Sequence, residues 1–338
     1  MHAYTACLMR AKSEAPSTLL HKSVMVNEVL DLLVTKPGGN YVDGTIGAGG
    51  HTAAILEKAG SDSRVLGIDR DPDALNWSKK TLNDVQSQIT LVLGKFSEIA
   101  DICNQYGFEN INGVLLDLGL SSMQIERSNR GFSFMRDEAL DMRMNPDSEL
   151  TAEQIINEWE PSELARIIRK YGEEQNAKKI TRQIIRNRPI ATTGELVRTI
   201  ETAVGSSSSK QRKKHPATKT FQALRITVND ELTELKNTLQ TTRELLSRTS
   251  HTSQENPRLA IISFHSLEDR LVKSFFRYES SSCICSKRLP ICTCQHSPTL
   301  KELTRKPIAA SQTETDSNPR ARSARLRVAE IFPKVLSE

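Results

Sequence analysis

Short apolar runs and amphipathic segments alternate over the first third of the chain. Tyr41 to Asp43, Arg64 to Ile68, Ile89 to Leu93 and Gly113 to Leu116 read as strands, and helical spacing separates the first three. This alternation predicts a mostly parallel sheet with helices on both faces. The pattern then changes. From about Leu150 to Val204 the apolar residues keep a helical period with no strand between them: Leu164, Ile167, Ile168 and Tyr171, then Ala177, Ile180 and Ile184, then Leu196, Val197 and Ile200. Three helices in a row predict a separate small unit. Another helix is expected from about Asn229 to Leu246. A strand-like run, Leu259 to Phe264, returns only after it, so the helical unit reads as an insertion. The predicted division is an N-terminal extension over 1–20, disordered; a discontinuous α/β domain over 21–125 and 228–338; and an inserted helical domain over 126–227. The stretch from about Ser280 to Thr315 lacks periodicity and is expected to be loop or partly disordered.

The first predicted strand runs into DGTIGAGGH, Asp43 to His51, and Asp69 ends the second. A strand, a glycine turn and an acid about 20 residues on is the layout with which doubly wound sheets hold an adenosine ligand. The third glycine of a dinucleotide fingerprint is replaced by Thr52, and no Lys-Ser or Lys-Thr pair follows. With no phosphate-gripping lysine and with Asp43 beside the loop, a positively charged ligand such as S-adenosylmethionine is favoured over a polyphosphate. A glycine loop that only turns the chain would look the same over so few residues. The fourth strand ends in Asp117, within DLGLSSMQ, which places Asp117, Asp69 and the turn along one crevice. Ser121 and Ser122 can equally be helix caps.

The chain has 338 residues, 37% hydrophobic and 26% charged, enough for one large or two ordinary domains. No apolar run approaches the length of a membrane span. The net charge of +5 is unevenly placed: Lys210, Arg212, Lys213, Lys214, His215, Lys219 and Arg225 follow four serines, and Arg320, Arg322, Arg325 and Arg327 lie near the C-terminus. Such clusters suit a phosphate backbone, although a solvated loop has the same composition. Phe132 and Phe134 stand among Arg130, Arg136 and Arg143, a combination for stacking an unpaired base or for clasping two domains together. FHSLEDR, with His265 and Glu268, reads as a strand-to-helix junction near the substrate. Cys283, Cys285, Cys292 and Cys294 lack the usual C-x-x-C spacing of zinc sites, so reduced surface thiols and no metal are expected.

The long strings HKSVMVNEVL, DGTIGAGGHT, GIDRDPDAL, LLDLGLSSMQ, RGFSFMRDEALDMRMN, HPATKTFQALRITVNDEL, FHSLEDRLVK, LTRKPI and NPRARSARLRVAE run in this order from His21 to Glu330. In these strings the chain resembles the RsmH (MraW) family of S-adenosylmethionine-dependent ribosomal RNA methyltransferases. The resemblance implies a Rossmann-like class I methyltransferase sheet and methylation of the N4 amine of one cytidine, cytosine 1402, in the decoding region of 16S small-subunit RNA. It places cofactor contacts on Gly49, Gly50, His51, Asp69, Phe96, Asp117 and Gln124. Asp117 is the candidate catalytic acceptor, in competition with cofactor binding alone. Arg136, Arg143, Lys214, His215, Lys219 and Arg225 are the candidate RNA contacts, and the insertion is the expected recognition unit. The implied partner is the small ribosomal subunit, with no membrane and no DNA; a homodimer is allowed for. Cytoplasm is expected, with the mitochondrial matrix as alternative because Arg10 and Lys12 precede any acid. Two rival classes are a dinucleotide oxidoreductase, disfavoured by Thr52, and an assembly factor that keeps the fold without catalysis.

Overall fold

The central strands are apolar on both faces, as a sheet covered by helices on each side requires. The computed structural model describes residues 23–121, 124–125, 128–205, 215–248, 256–286 and 291–333. The strands are β1 (Gly39–Asp43), β2 (Ser63–Asp69), β3 (Ile89–Leu93), β4 (Ile111–Asp117), β5 (Arg258–Ser263), β6 (Leu300–Glu302), β7 (Ile308–Ala309) and β8 (Arg325–Ile331). They form one sheet in the order β3-β2-β1-β4-β5-β8-β6, with β7 also on β8. The first five are mutually parallel and β8 runs antiparallel to β5. The doubly wound sheet expected from the sequence is therefore present.

Helices α1 (Val26–Leu33), α2 (Gly50–Ala59), α3 (Pro72–Thr81) and α4 (Ile99–Gln105) flank the early strands. Helices α5 (Ala152–Glu158), α6 (Pro161–Gly172), α7 (Ala177–Arg186), α8 (Thr193–Val204) and α9 (Thr218–Asn229) follow in the insertion, and α10 (Glu231–Ser247), α11 (Ser266–Glu279) and α12 (Gln312–Ser317) return to the sheet. Side chains alternate across each strand. Tyr41, Leu115, Ala260 and Ile262 pack with Val29, Leu33, Ile55 and Leu56 of α1 and α2. Val42, Val114, Leu116, Leu259 and Ile261 face the other way, onto Ile99 and Ile102 of α4, Leu235 and Leu239 of α10, and Val272 and Phe276 of α11. The insertion packs a hydrophobic cluster of its own, from Phe132 and Leu140 through Ile167, Ile180 and Ile200 to Leu224 and Val228. Two of its helices start at defined caps: Thr151 with Gln154 and Thr192 with Glu195 form reciprocal capping boxes.

Several elements differ from expectation. The insertion has α5 and α9 besides the three helices predicted. Seven residues are too few for α5 to show a period, and α9 buries Phe221, Ala223, Leu224, Ile226 and Val228 around most of its circumference, so no stripe is visible. The helix predicted from Asn229 starts at Glu231, because Asp230 takes a left-handed conformation (φ 47°) between α9 and α10. Within Ser280 to Thr315, expected to be irregular, lie β6, β7 and most of α12. The basic C-terminal segment is divided, with Arg320 and Arg322 in a 3-10 turn, Pro319–Ser323, and Arg325 and Arg327 in β8. Arg327 is 2% exposed, and its Nε donates to Asp269 Oδ1 at 2.7 Å, so this arginine closes the sheet instead of offering charge to a polyanion.

Two polar links tie the insertion to the sheet. Asn229 accepts from the Met144 N–H at 2.8 Å and donates from Nδ2 to the Met142 carbonyl at 2.8 Å, while its own carbonyl accepts from Arg70 at 3.1 Å. Asp71, 1% exposed, accepts from Arg130 at 2.7 Å and from Gln124 Nε2 at 2.8 Å. Replacing Asn229 by Ala leaves a buried N–H and a buried carbonyl without partners. Asn229→Ala is expected to lower the unfolding free energy by about 2–4 kcal/mol, read from urea denaturation.

Candidate functional site

Strand order reverses between β1 and β4, and a crevice opens there at the carboxyl ends of the strands. The turn after β1 enters it through Gly44 to Ala48, Gly50 and His51; Asp69, Phe96, Asp117 and Gln124 line the remainder. Gly47 has φ +54°, a left-handed conformation that glycine adopts without strain, and its N–H donates to Asp69 Oδ2 at 2.9 Å. Gly49 answers a different constraint. At φ +86° it precedes α2, and a Cβ there would stand 2.8 Å from Leu82 Cδ1. It fits the turn against the α3 end while Gly47 and Gly50 face the crevice.

Asp69 accepts from two backbone N–H groups, Gly47 on Oδ2 and Asp71 on Oδ1, each at 2.9 Å. Each oxygen keeps a lone pair for a diol. Burial outweighs these hydrogen bonds and pushes its carboxyl up to about 6. Across the crevice the Arg70 guanidinium lies 5.2 Å from the centre of the Phe96 ring, a cation–π pair that holds the ring at the mouth.

The opposite end is built from His51 and Asp117. His51 Nε2 stands 3.5 Å from Asp117 Oδ2, and His51 is 6% exposed. Burial disfavours the imidazolium, but the neighbouring Asp117 carboxylate and the charge of Asp43 outweigh it, so the His51 pKa is raised. Among the described residues, His51 Nε2 and Asp117 Oδ1 are buried with no hydrogen-bond partner. An unpartnered buried carboxylate oxygen in a crevice marks where a polar ligand group belongs. Asp43, beside the loop, does not line the crevice itself. It is 1% exposed, accepts from Thr52 Oγ1 at 2.8 Å and from the Thr45 N–H at 3.2 Å, and lies behind His51.

The crevice is also walled by residues that sequence reasoning did not assign to it: Ser23, Arg70, Glu231, Glu268 and Arg320. His265 begins α11 in a capping box with Glu268, and its Nε2 lies 3.1 Å from Glu268 Oε1. Glu231, His265 and Glu268 bring potential ligand atoms within 4.8 Å of one another. A cation is already in place there: Arg225 grips Glu231 through two hydrogen bonds of 2.8 Å. Arg70 adjoins Asp69 in sequence and Glu268 belongs to FHSLEDR, so a signal for both was present; Ser23 and Arg320 approach only through the fold.

The sequence-predicted RNA contacts divide. Arg225 is committed to Glu231. Arg143 is clamped on Asp141 by bonds of 2.8 Å and on the Pro146 and Ser148 carbonyls at 2.7 Å, so its guanidinium shapes a loop and does not offer itself to phosphate. Phe132 is core of the insertion and Phe134 stacks on His215 at 4.8 Å, both contacts within the insertion, while Arg130 of the same stretch reaches out of it to Asp71 at 2.7 Å. Arg136, His215 and Lys219 remain on the rim with side chains 46%, 36% and 45% exposed. Lys214 lies outside the described residues. Gln124 lines the crevice, yet its amide chiefly braces Asp71.

These residues suit S-adenosylmethionine: Asp69 for ribose hydroxyls, Phe96 with Arg70 for the adenine, and the unpartnered oxygen of Asp117 beside His51 at the far end. The MraW methylase family model matches residues 18–332. The chain is 46% identical over 310 residues to ribosomal RNA small subunit methyltransferase H of Dehalococcoides mccartyi, covering 92% of this chain and 86% of that one. It is 45% identical over 314 residues to the protein of that name from Heliobacterium modesticaldum, covering 92% and 98%. A Geobacter relative of the same name is 45% identical over 313 residues, again covering 92% and 98%.

The raised Asp69 pKa has a consequence for binding. With its carboxyl pushed up to about 6, the Asp69 anion, the form suited to accept hydroxyls, is present above that pH and lost below it. S-adenosylmethionine affinity, measured by calorimetry, is expected to hold above pH about 6 and to fall as the pH drops through it; Asp69→Asn should bind weakly with that step removed.

Proposed function

We propose that this chain, which belongs to the MraW methylase family, is an S-adenosylmethionine-dependent ribosomal RNA methyltransferase acting on the exocyclic N4 amine of one cytidine in the decoding region of the small subunit. Small-subunit ribosomal RNA as substrate follows from the family and its relatives. The observation that supports the amine is the buried, unpartnered Asp117 Oδ1 beside His51.

The bound cofactor supplies an electrophilic methyl group on sulfonium sulfur. The chain's own residues do the rest. Asp69 and the Gly47 backbone fix the ribose, and Phe96 and Arg70 hold the base against the sheet edge. Asp117 Oδ1 accepts a hydrogen bond from the cytosine amine, orients its lone pair and stabilises the positive charge that develops on nitrogen. His51, kept toward its protonated form by Asp117 and Asp43, fixes the Asp117 carboxylate in place. A cytosine amine delocalises its lone pair into the ring, so positioning supplies much of the acceleration. Attack at ring carbon is not part of the reaction, and no cysteine nucleophile is required.

The insertion is the proposed RNA-recognition unit. Arg136, His215 and Lys219 form its exposed basic rim, and Glu173 after α6 couples it to the sheet by accepting from Arg270 at 2.9 Å and from Ser266. Both partners follow His265 at the crevice, so RNA held on the insertion is held relative to Asp117. Among the described residues no helix is long and apolar enough to cross a membrane. The cytoplasm, where small subunits mature, is the proposed location.

Labelled S-adenosylmethionine and small subunits lacking the modification test this reading. N4-methylcytidine is expected at one site by nucleoside mass analysis, with no transfer to DNA. Cofactor binding with no methylated nucleoside on subunits or free RNA would favour a silent assembly factor instead.

A further inference from the structure

We propose that Cys283, Cys285, Cys292 and Cys294 form a tetrathiolate site for a zinc ion that staples the segment between α11 and β6. The C-x-C spacing argued against zinc in the sequence alone, and the folded geometry reverses that expectation. The four Sγ atoms all lie within 4.8 Å of one another. Cys292 and Cys294 are 3.5 Å apart and Cys283 and Cys294 3.9 Å apart. A tetrahedron of sulfurs about 2.3 Å from zinc has edges of about 3.8 Å. Disulfide sulfurs would be bonded at about 2.0 Å, and these four are free thiols.

The backbone supports the same assignment. The Ile284 N–H donates to Cys294 Sγ at 3.4 Å, joining one C-x-C to the other, and the Cys285 N–H donates to Cys283 Sγ at 3.4 Å. N–H groups aimed at sulfur stabilise thiolates, the form that binds metal. Among the described residues of this segment the large apolar side chains are not packed away: Ile284 is 42% exposed and Ile291 74% exposed. The neighbouring anchors are polar, His296 Nε2 to the Tyr278 carbonyl at 3.1 Å and the Thr299 N–H to the Glu279 carbonyl at 2.8 Å. A metal with four thiolates supplies the cross-link that a hydrophobic core does not.

The site is structural. It follows the end of α11, whose first turn is at the crevice, and a 14-residue helix is about 20 Å long. Binding releases the remaining thiol protons to solvent as the sulfurs take up Zn²⁺; no oxidant or reductant takes part.

Full-length protein, purified under reducing conditions from zinc-supplemented cells, is expected to carry one zinc per chain by plasma mass spectrometry. The double variant Cys283→Ser/Cys294→Ser should carry none and should still bind S-adenosylmethionine, which shows that it folds. Cobalt exchanged into the wild type should give the thiolate charge-transfer and intense visible bands of tetrahedral cobalt. Wild-type protein without metal and without those bands, or zinc retained equally by the double variant, would overturn the proposal. So would a variant that loses zinc only together with cofactor binding.

Discussion

Three carboxylates at the carboxyl ends of adjacent parallel strands set the terms for the rest of the structure. Asp43, Asp69 and Asp117 end β1, β2 and β4, which lie side by side in the sheet. Burying like charges at one edge is costly unless each finds partners. The neighbourhood meets that demand differently for each. Asp43 is sealed behind Thr52 and the turn. Asp69 is held by two backbone N–H groups and still titrates high. Asp117 is left with His51 on one oxygen and nothing on the other. One carboxylate thus builds the loop, and two keep oxygens toward the crevice, Asp69 for the proposed ribose contact and Asp117 for the proposed chemistry.

The insertion interrupts the sheet's chain order without loosening the site. Its own hydrophobic cluster makes it a separate packing unit, yet Arg130 and Gln124 converge on buried Asp71, two residues past Asp69. Asn229 ties the loop at Met142 and Met144 to the arginine that stands over Phe96. The insertion and the crevice therefore share polar links at buried positions, where a displaced partner costs most.

Much of this is legible in the sequence because it depends on local pattern. Strand period, glycine turn and terminal acid locate Asp69 and Asp117 from the residues alone, and the run of helical periods locates the insertion. The parts that are not legible depend on partners distant in sequence. A lysine or arginine shows its charge in sequence but not its counterion, so Arg143 and Arg225 look available for phosphate until Asp141 and Glu231 are seen to hold them. Arg325 and Arg327 conceal β8 for the same reason. Gly47 and Gly49 differ only in what stands opposite each, Asp69 in one case and Leu82 in the other.

The role of Asp117 is separable from its place in the cofactor site by one comparison: single-turnover methyl transfer to small subunits, set beside S-adenosylmethionine affinity, for wild type and Asp117→Asn. Asparagine preserves the shape and removes the negative charge. If the carboxylate acts on the cytosine amine, the chemical step slows by about 10²-fold or more while the dissociation constant changes little. A rate at saturating cofactor equal to wild type, with affinity alone reduced, would contradict that role and leave Asp117 as a cofactor ligand only.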